Sequence, residues 1–267
     1  MLDFLIAFEG GSLNTISEDV AKSPAYAGKR LYEGAICGVA AADDAVIVSL
    51  KANKEANLDM TQPEEWLPGA KSVLSFFLPF ARWIPEENAG GDWPSDGWLH
   101  GRIEGQAFSS QAIAALAGKI REAGYGAVVP SLDPRLKVFM KYAGYPESLF
   151  TVNWSERHIA FAAGLGTFGL SRGIITEKGM AGRFMSIVTT LPLVPTPRPY
   201  SDLLEYCVKC GACIRNCPPQ AITVERLKDH KLCDEYLVAV RKKEEPYYGC
   251  GKCQSGVPCA SRIPGRG

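Results

Sequence analysis

Four cysteines crowd into twelve residues, "CVKCGACIRNCP" from Cys207 to Pro218. Their spacing is C-x2-C-x2-C-x3-C followed by proline, and this constrains the chain more than any other feature. Three cysteines separated by two residues can wrap one face of an iron–sulfur cube. The fourth, three residues on and closed by a proline, points away and serves a second cube in two-cluster modules. Partner cysteines are therefore expected, and Cys233, Cys250, Cys253 and Cys259 follow. The spacing assigns one [4Fe–4S] cluster to Cys207, Cys210, Cys213 and Cys259, and a second to Cys217, Cys233, Cys250 and Cys253. Eight of nine cysteines are then used. Cys37, in "AICGVA", reads as a small hydrophobe.

Two other uses of the thiols fit less well. Zinc sites favour separated C-x2-C pairs closing a tetrahedron, not a triple run. Disulfides need an oxidising compartment. The start "MLDFLIAFEG" has neither a basic region nor a small-residue cleavage site, so a cytoplasmic protein with reduced thiols is expected. Lysine plus arginine and aspartate plus glutamate both number 29. That balance offers no global platform for a polyanion, so nucleic acid is not expected as a partner. No apolar run is long enough to span a bilayer, so no membrane contact is expected either.

"PLVPTPRPY", residues 192–200, has four prolines in nine residues and is expected to be a linker. It separates an α/β domain, 1–191, from a cysteine-rich module, 201–267. Apolar runs at 44–50, 71–80, 126–132 and 183–193 fit buried strands. Phe108, Ile113, Leu116 and Ile120 have helical spacing, with Gly124 where a helix-ending glycine belongs. "SERHIAFAAGLG" reads as a helix capped by Ser155 and ending near Gly164. Strands alternating with helices imply a sheet covered by helices. "ENAGGDWPSDGW", 87–98, reads as a surface loop or a lid.

Three stretches together resemble the epoxyqueuosine reductase family: "KSVLSFFLPF", the run 156–193 beginning "ERHIAFAAGLGTFGLSRG", and the cysteine order with "KLCDEYL" and "YGCGKCQ". The resemblance covers about residues 66–259. It implies a nitroreductase-like, reductive dehalogenase-like core carrying a two-cluster ferredoxin-like module. It also implies a cobalamin in the core, reached by electrons that an external low-potential donor feeds through the clusters, and a two-electron reduction of a small-molecule or protein-bound acceptor. Flavin is the alternative cofactor. An electron carrier serving a partner such as a corrinoid protein is the alternative function.

Gly164, Gly166, Gly169, Ser171 and Arg172 are the candidate cofactor-binding residues. Glycines admit close approach of a ligand, and the hydroxyl and guanidinium suit amide or phosphate oxygens. An ordinary helix-to-strand turn explains the same glycines. Two departures from the family pattern stand out. Five residues separate Cys253 from Cys259, with Pro258 before the last cysteine. Phe150 stands about where the family has an aspartate proposed as proton donor, which argues against epoxyqueuosine as substrate. Tyr142, Tyr145 and His158 are the remaining catalytic candidates.

Overall fold

The computed structural model describes residues 1–53, 58–139 and 151–265. At its centre is an antiparallel sheet of β1 (Ile36–Ala41), β2 (Ser72–Pro79), β3 (Ala127–Val128) and β8 (Gly182–Thr189), in the order β1-β2-β8-β3. Two short antiparallel pairs lie between β3 and β8 in sequence: β4 (Val138–Phe139) with β5 (Thr151–Val152), and β6 (Gly166–Phe168) with β7 (Ile174–Thr176).

β2 reads SVLSFFLP and is buried along its whole length. It pairs on both sides, and both its faces are covered, which is why it lacks polar alternation. Its side chains still obey the two-residue period of a strand. Leu74, Phe76 and Leu78 join one core cluster, whereas Val73 and Phe77 join the clusters on the opposite face.

The first face is covered by α1 (Leu2–Glu9) and α5 (Asp96–Glu122). Ser95 caps α5 by accepting the Trp98 N–H, and Gly124, at φ +87°, lets the chain leave it. Phe108, Ile113, Leu116 and Ile120 are buried as their spacing implies, each contributing about 1.5–3 kcal/mol of apolar transfer. The opposite face is covered by α2 (Ala45–Ser49), α3 (Pro63–Trp66) and α6 (Glu156–Ala162). α6 begins after Ser155, as expected, and its exit is Gly164 at φ +81°.

Three expectations need correction. Residues 44–50 form helix α2, not a strand, because the Asp44 carboxylate accepts the Val46 N–H and starts a helical turn. Only Ala127–Val128 of the run 126–132 is strand, since Pro130 opens a 3-10 turn. Residues 87–98 are neither lid nor free loop. They run from α4 (Trp83–Glu87) into α5 and grip the cysteine-rich module.

That module contains α7 (Ala212–Arg215), the β9 (Ile222–Thr223) and β10 (Leu227–Lys228) pair, and α8 (His230–Glu244). It is fastened to the rest at many points. Asn88 donates to the Cys250 carbonyl and to Ser255. The buried Lys252 ammonium donates to the carbonyls of Asn88 and Gly90. Trp93 donates to Glu244. The indole of Trp98 lies so close to Gly251 that a Cβ there would sit 1.9 Å from it. The proline-rich stretch is likewise held: Thr196 exchanges bonds with the backbone of Val39, and Arg198 reaches Asp44 and the Ala162 carbonyl.

Candidate redox centre

The sheet end where β2 finishes and β8 begins, with Leu78 opposite Arg183, is covered by the cysteine-rich module. Met180 and Ala181 donate to the carbonyls of Cys259 and Ala260. Cys207, Cys210, Cys213 and Cys259 line one cavity, together with Gly169 and Met180. Burial pushes Cys259 up to about 12 and Cys213 up to about 11, and the neighbouring thiols of this set add to both.

The other four cysteines form a second group. Burial pushes Cys250 up to about 12, with Cys253, Cys233 and Cys217 adding to it. Cys217 is raised by burial and also feels Cys253 and Cys233. The two groups adjoin, since Cys213 feels Cys253. Thiols packed this way resist ionisation alone, and iron would supply the compensating positive charge. Among the described residues no three His, Cys, Asp or Glu side chains gather at the spacing of a single metal ion.

The backbone between these cysteines is shaped for wrapping. Lys209 and Gly211 separate the first three and both have positive φ, 50° and 72°. Gly251, between Cys250 and Cys253, has φ 66°. Successive left-handed residues turn the chain tightly and form concave, N–H-lined nests.

The glycine run serves mainly the protein itself. Gly164 packs against Thr196 and the Pro197 carbonyl. At Gly166 a Cβ would stand 2.0 Å from the Ile175 carbonyl oxygen. These two glycines are filled by backbone, which is the turn explanation. Gly169 borders the first thiol cavity, its Cβ position 3.9 Å from Cys207 Sγ. Ser171 is buried, lines the same cavity and accepts the Gly173 N–H. Arg172, at φ 57°, is pushed down by burial, an effect Asp229 opposes.

Arg157, in the first turn of α6, lies near the second thiol set. Arg157 keeps accessible surface, yet surrounding protein pushes its guanidinium down while Cys253 and Cys233 oppose that effect. Glu156 precedes it. Both of its carboxylate oxygens are enclosed without a hydrogen-bond partner, and burial raises it to about 8, against the smaller influences of Ser186 and Arg183. The Ser186 hydroxyl meanwhile accepts the Trp154 indole N–H.

His158 bonds to the Ser155 hydroxyl at 2.7 Å and packs on Phe168. Burial first, then Arg157 and Arg172, push it down to about 4, so its imidazole is neutral. His230 is pushed down to about 4 by burial, Lys228, Arg172 and Arg157. His100 is a buried strut, its Nε2 accepting the Lys22 N–H and its Nδ1 paired with Glu104. Tyr142, Tyr145 and Phe150 lie outside the described residues. A cavity of about 890 Å³ adjoins the sheet end, lined by Pro79, Phe80, Lys178, Pro258 and Arg262 among others. Residues 164–172 do not line it.

Sequence reasoning overlooked Glu156, Arg157, Arg102 and Arg183 as site residues. Adjacent Glu-Arg at a helix start was the only local signal.

Comparison with known proteins agrees with this arrangement. Residues 203–223 match the 4Fe-4S binding domain, Fer4. An epoxyqueuosine reductase from Vibrio cholerae is 32% identical over 114 residues, 39% of this chain and 30% of its own length. A tetrachloroethene reductive dehalogenase from Sulfurospirillum multivorans is 36% identical over 94 residues, 34% of this chain and 19% of its own. Among solved structures, the epoxyqueuosine reductase of Streptococcus thermophilus superposes with a TM-score of 0.51 at 17% identity, covering 84% of this chain and 61% of that one. The catabolic reductive dehalogenase NpRdhA gives 0.57 at 15% identity, covering 86% and 30%. The chain thus spans about a third or less of the length of these curated relatives.

Fold and cysteine run together define an iron–sulfur redox protein with a reductive dehalogenase-like core and a C-terminal 4Fe-4S module. Within that class the chain is similar, over part of its length, to epoxyqueuosine reductases. No helix among the described residues is long and apolar enough to cross a membrane.

Proposed function

We propose that this chain is a reductase that takes electrons from an external low-potential donor through two [4Fe–4S] clusters to a cobalamin in the α/β core. The cluster ligands are Cys207, Cys210, Cys213 and Cys259 for one, and Cys217, Cys233, Cys250 and Cys253 for the other. The observation that carries this reading is the position of Arg157, a core residue with accessible surface beside Cys253 and Cys233. The second thiol set thus lies beside helix α6 of the core, which suits delivery of electrons inward.

Polar residues of the core on this side fit a polar, amide-bearing cofactor. Glu156 has an enclosed, unpartnered carboxyl, and Arg157 and Arg172 supply donors for oxygens. Gly164 and Gly166 turn their open faces to Thr196, Pro197 and Ile175 of the protein itself. Cobalamin, when bound, supplies two-electron reduction chemistry, and the protein's task is positioning and proton supply. Glu156 holds a proton at neutral pH. His158 and His230, both neutral, add no charge near Arg157 and Arg172. With Phe150 where the family's acid stands, the substrate is taken to be something other than epoxyqueuosine.

The test is retention of colour. After anaerobic purification and cluster reconstitution, the protein is mixed with cobalamin or flavin and desalted. About one cobalamin retained per chain supports the reading. Retained flavin would replace it with a flavin enzyme, and retention of neither would leave an electron carrier.

A further inference from the structure

On the α5 side of the same sheet end three donor groups lie together, two of them with a buried donor atom that bonds to no protein acceptor. Tyr32 is fully buried, and its hydroxyl has no hydrogen-bond partner. Ser109 lies near; its hydroxyl hydrogen goes to the Gln106 carbonyl, and its oxygen, still able to accept, stands outside hydrogen-bond geometry with Tyr32. Arg183, on β8, gives its Nη2 to the Gln106 side-chain oxygen, which leaves a buried Nε without a partner. Arg102, on α5, lies 4.6 Å over the Tyr248 ring. Both guanidinium groups influence Tyr32.

The charge here is unbalanced. Burial, then the like charge of Arg183, push Arg102 down to about 10. Among the described residues neither arginine has a carboxylate within ion-pair distance. Glu156 is near enough to feel Arg183 but makes no such contact, and Glu104 is committed to His100. Both arginines are half-buried; cations largely surrounded by protein are normally paired, and buried donors bonded.

The position is also held rigidly. Gly105 leaves room for the Tyr32 ring, since a Cβ there would be 2.7 Å from its hydroxyl. Gly249 does the same for Arg102, whose side chain would be 2.7 Å from a Cβ. Two guanidinium forks and a phenol are the donor set suited to an oxyanion.

We propose that Arg102, Arg183 and Tyr32 form a binding site for a compact oxyanion, a carboxylate or a phosphate, at the sheet end beside the cysteine-rich module. The anion is either a group of the substrate or the phosphate of the corrinoid's nucleotide arm. The site stands on these residues alone, and only the second source rests on the proposed cofactor.

The experiment uses the cluster-reconstituted full chain. Calorimetric titration at low salt measures binding of inorganic phosphate and of acetate. A parallel retention assay compares cobalamin with cobinamide, which lacks the phosphate-bearing arm. Wild-type protein is expected to bind an anion, or to prefer cobalamin over cobinamide. Arg183→Gln should weaken that binding or preference by about 10-fold or more and Tyr32→Phe by a few-fold, with Arg183→Lys intermediate and the cluster spectrum unchanged. Anion binding without corrinoid preference assigns the site to substrate, and a preference that Arg183→Gln erases assigns it to the cofactor. If neither corrinoid binds, the cofactor reading fails and the anion titration alone decides. No anion binding together with no preference overturns the site, as does an equal effect of Arg183→Gln on cobinamide.

Discussion

Glu156→Gln changes one atom type in an enclosed place, and its consequence can be worked out. The carboxyl of Glu156 is raised from its ordinary 4.5 to about 8, mainly by burial, with both oxygens unpartnered. In the unfolded chain it ionises near 4.5, whereas the native protein keeps its proton until about pH 8. Between these values the native state binds more protons, so this group lowers stability as pH rises, and the loss levels off above pH 8. At 1.36 kcal/mol per pKa unit the full cost is roughly 5 kcal/mol. Glutamine is nearly isosteric and cannot ionise, so the variant should match wild type near pH 4.5 and exceed it progressively up to pH 9. For a chain of this size that corresponds to a difference of roughly 10 °C in thermal midpoint at pH 9. The assay is an anaerobic thermal scan of cluster-loaded protein at pH 6 and pH 9. Infrared difference spectra accompany it, in which wild type at pH 6 shows a protonated carboxyl stretch that the variant lacks. Identical pH dependence in the two proteins, with no such band, would refute the reasoning.

Other outcomes follow from the same geometry. Anaerobically reconstituted protein should hold about eight iron and eight sulfide per chain; Cys217→Ala should lose about half of each while the signal governed by Cys210→Ala persists, as read by iron analysis and electron paramagnetic resonance. Gly251→Ala meets both the Trp98 indole and φ 66°. It should cost about 2–4 kcal/mol from overpacking and left-handed strain, seen as a lowered thermal midpoint and poor cluster incorporation. Lys252→Met leaves the carbonyls of Asn88 and Gly90 without their donor. A loss of about 1–3 kcal/mol is expected, and limited proteolysis should then cut within residues 88–95 first.

Some of this was legible in the chain because the causes are local. The cysteine run announces iron–sulfur ligation, since two- and three-residue spacings alone determine which thiols can face one cube. β2 and β8 are legible as mainly apolar runs because β2 is buried throughout and β8 from Met185 onward. The exits of α5 and α6 are legible because Gly124 and Gly164 sit in left-handed backbone that glycine favours.

Tertiary structure decided the rest. The β-branched run Val46-Ile47-Val48 suggests a strand, yet the Asp44 cap and packing on α6 make it a helix. β1 carries glycine and alanine, with weak strand preference, and exists because β2 pairs with it and because Gly38 lets the Ala163 carbonyl approach to 2.1 Å of its Cβ position. Residues 87–98 have the composition of a loop, and only their partners in the cysteine-rich module show them to be a clasp. Tyr32, Arg102 and Arg183 are far apart in the chain, and each alone resembles an ordinary surface or core residue. The unsatisfied donors of Tyr32 and Arg183 come together beside Arg102 only because the sheet brings β8 beside β2 and sets α5 across that end, a juxtaposition no sequence spacing encodes.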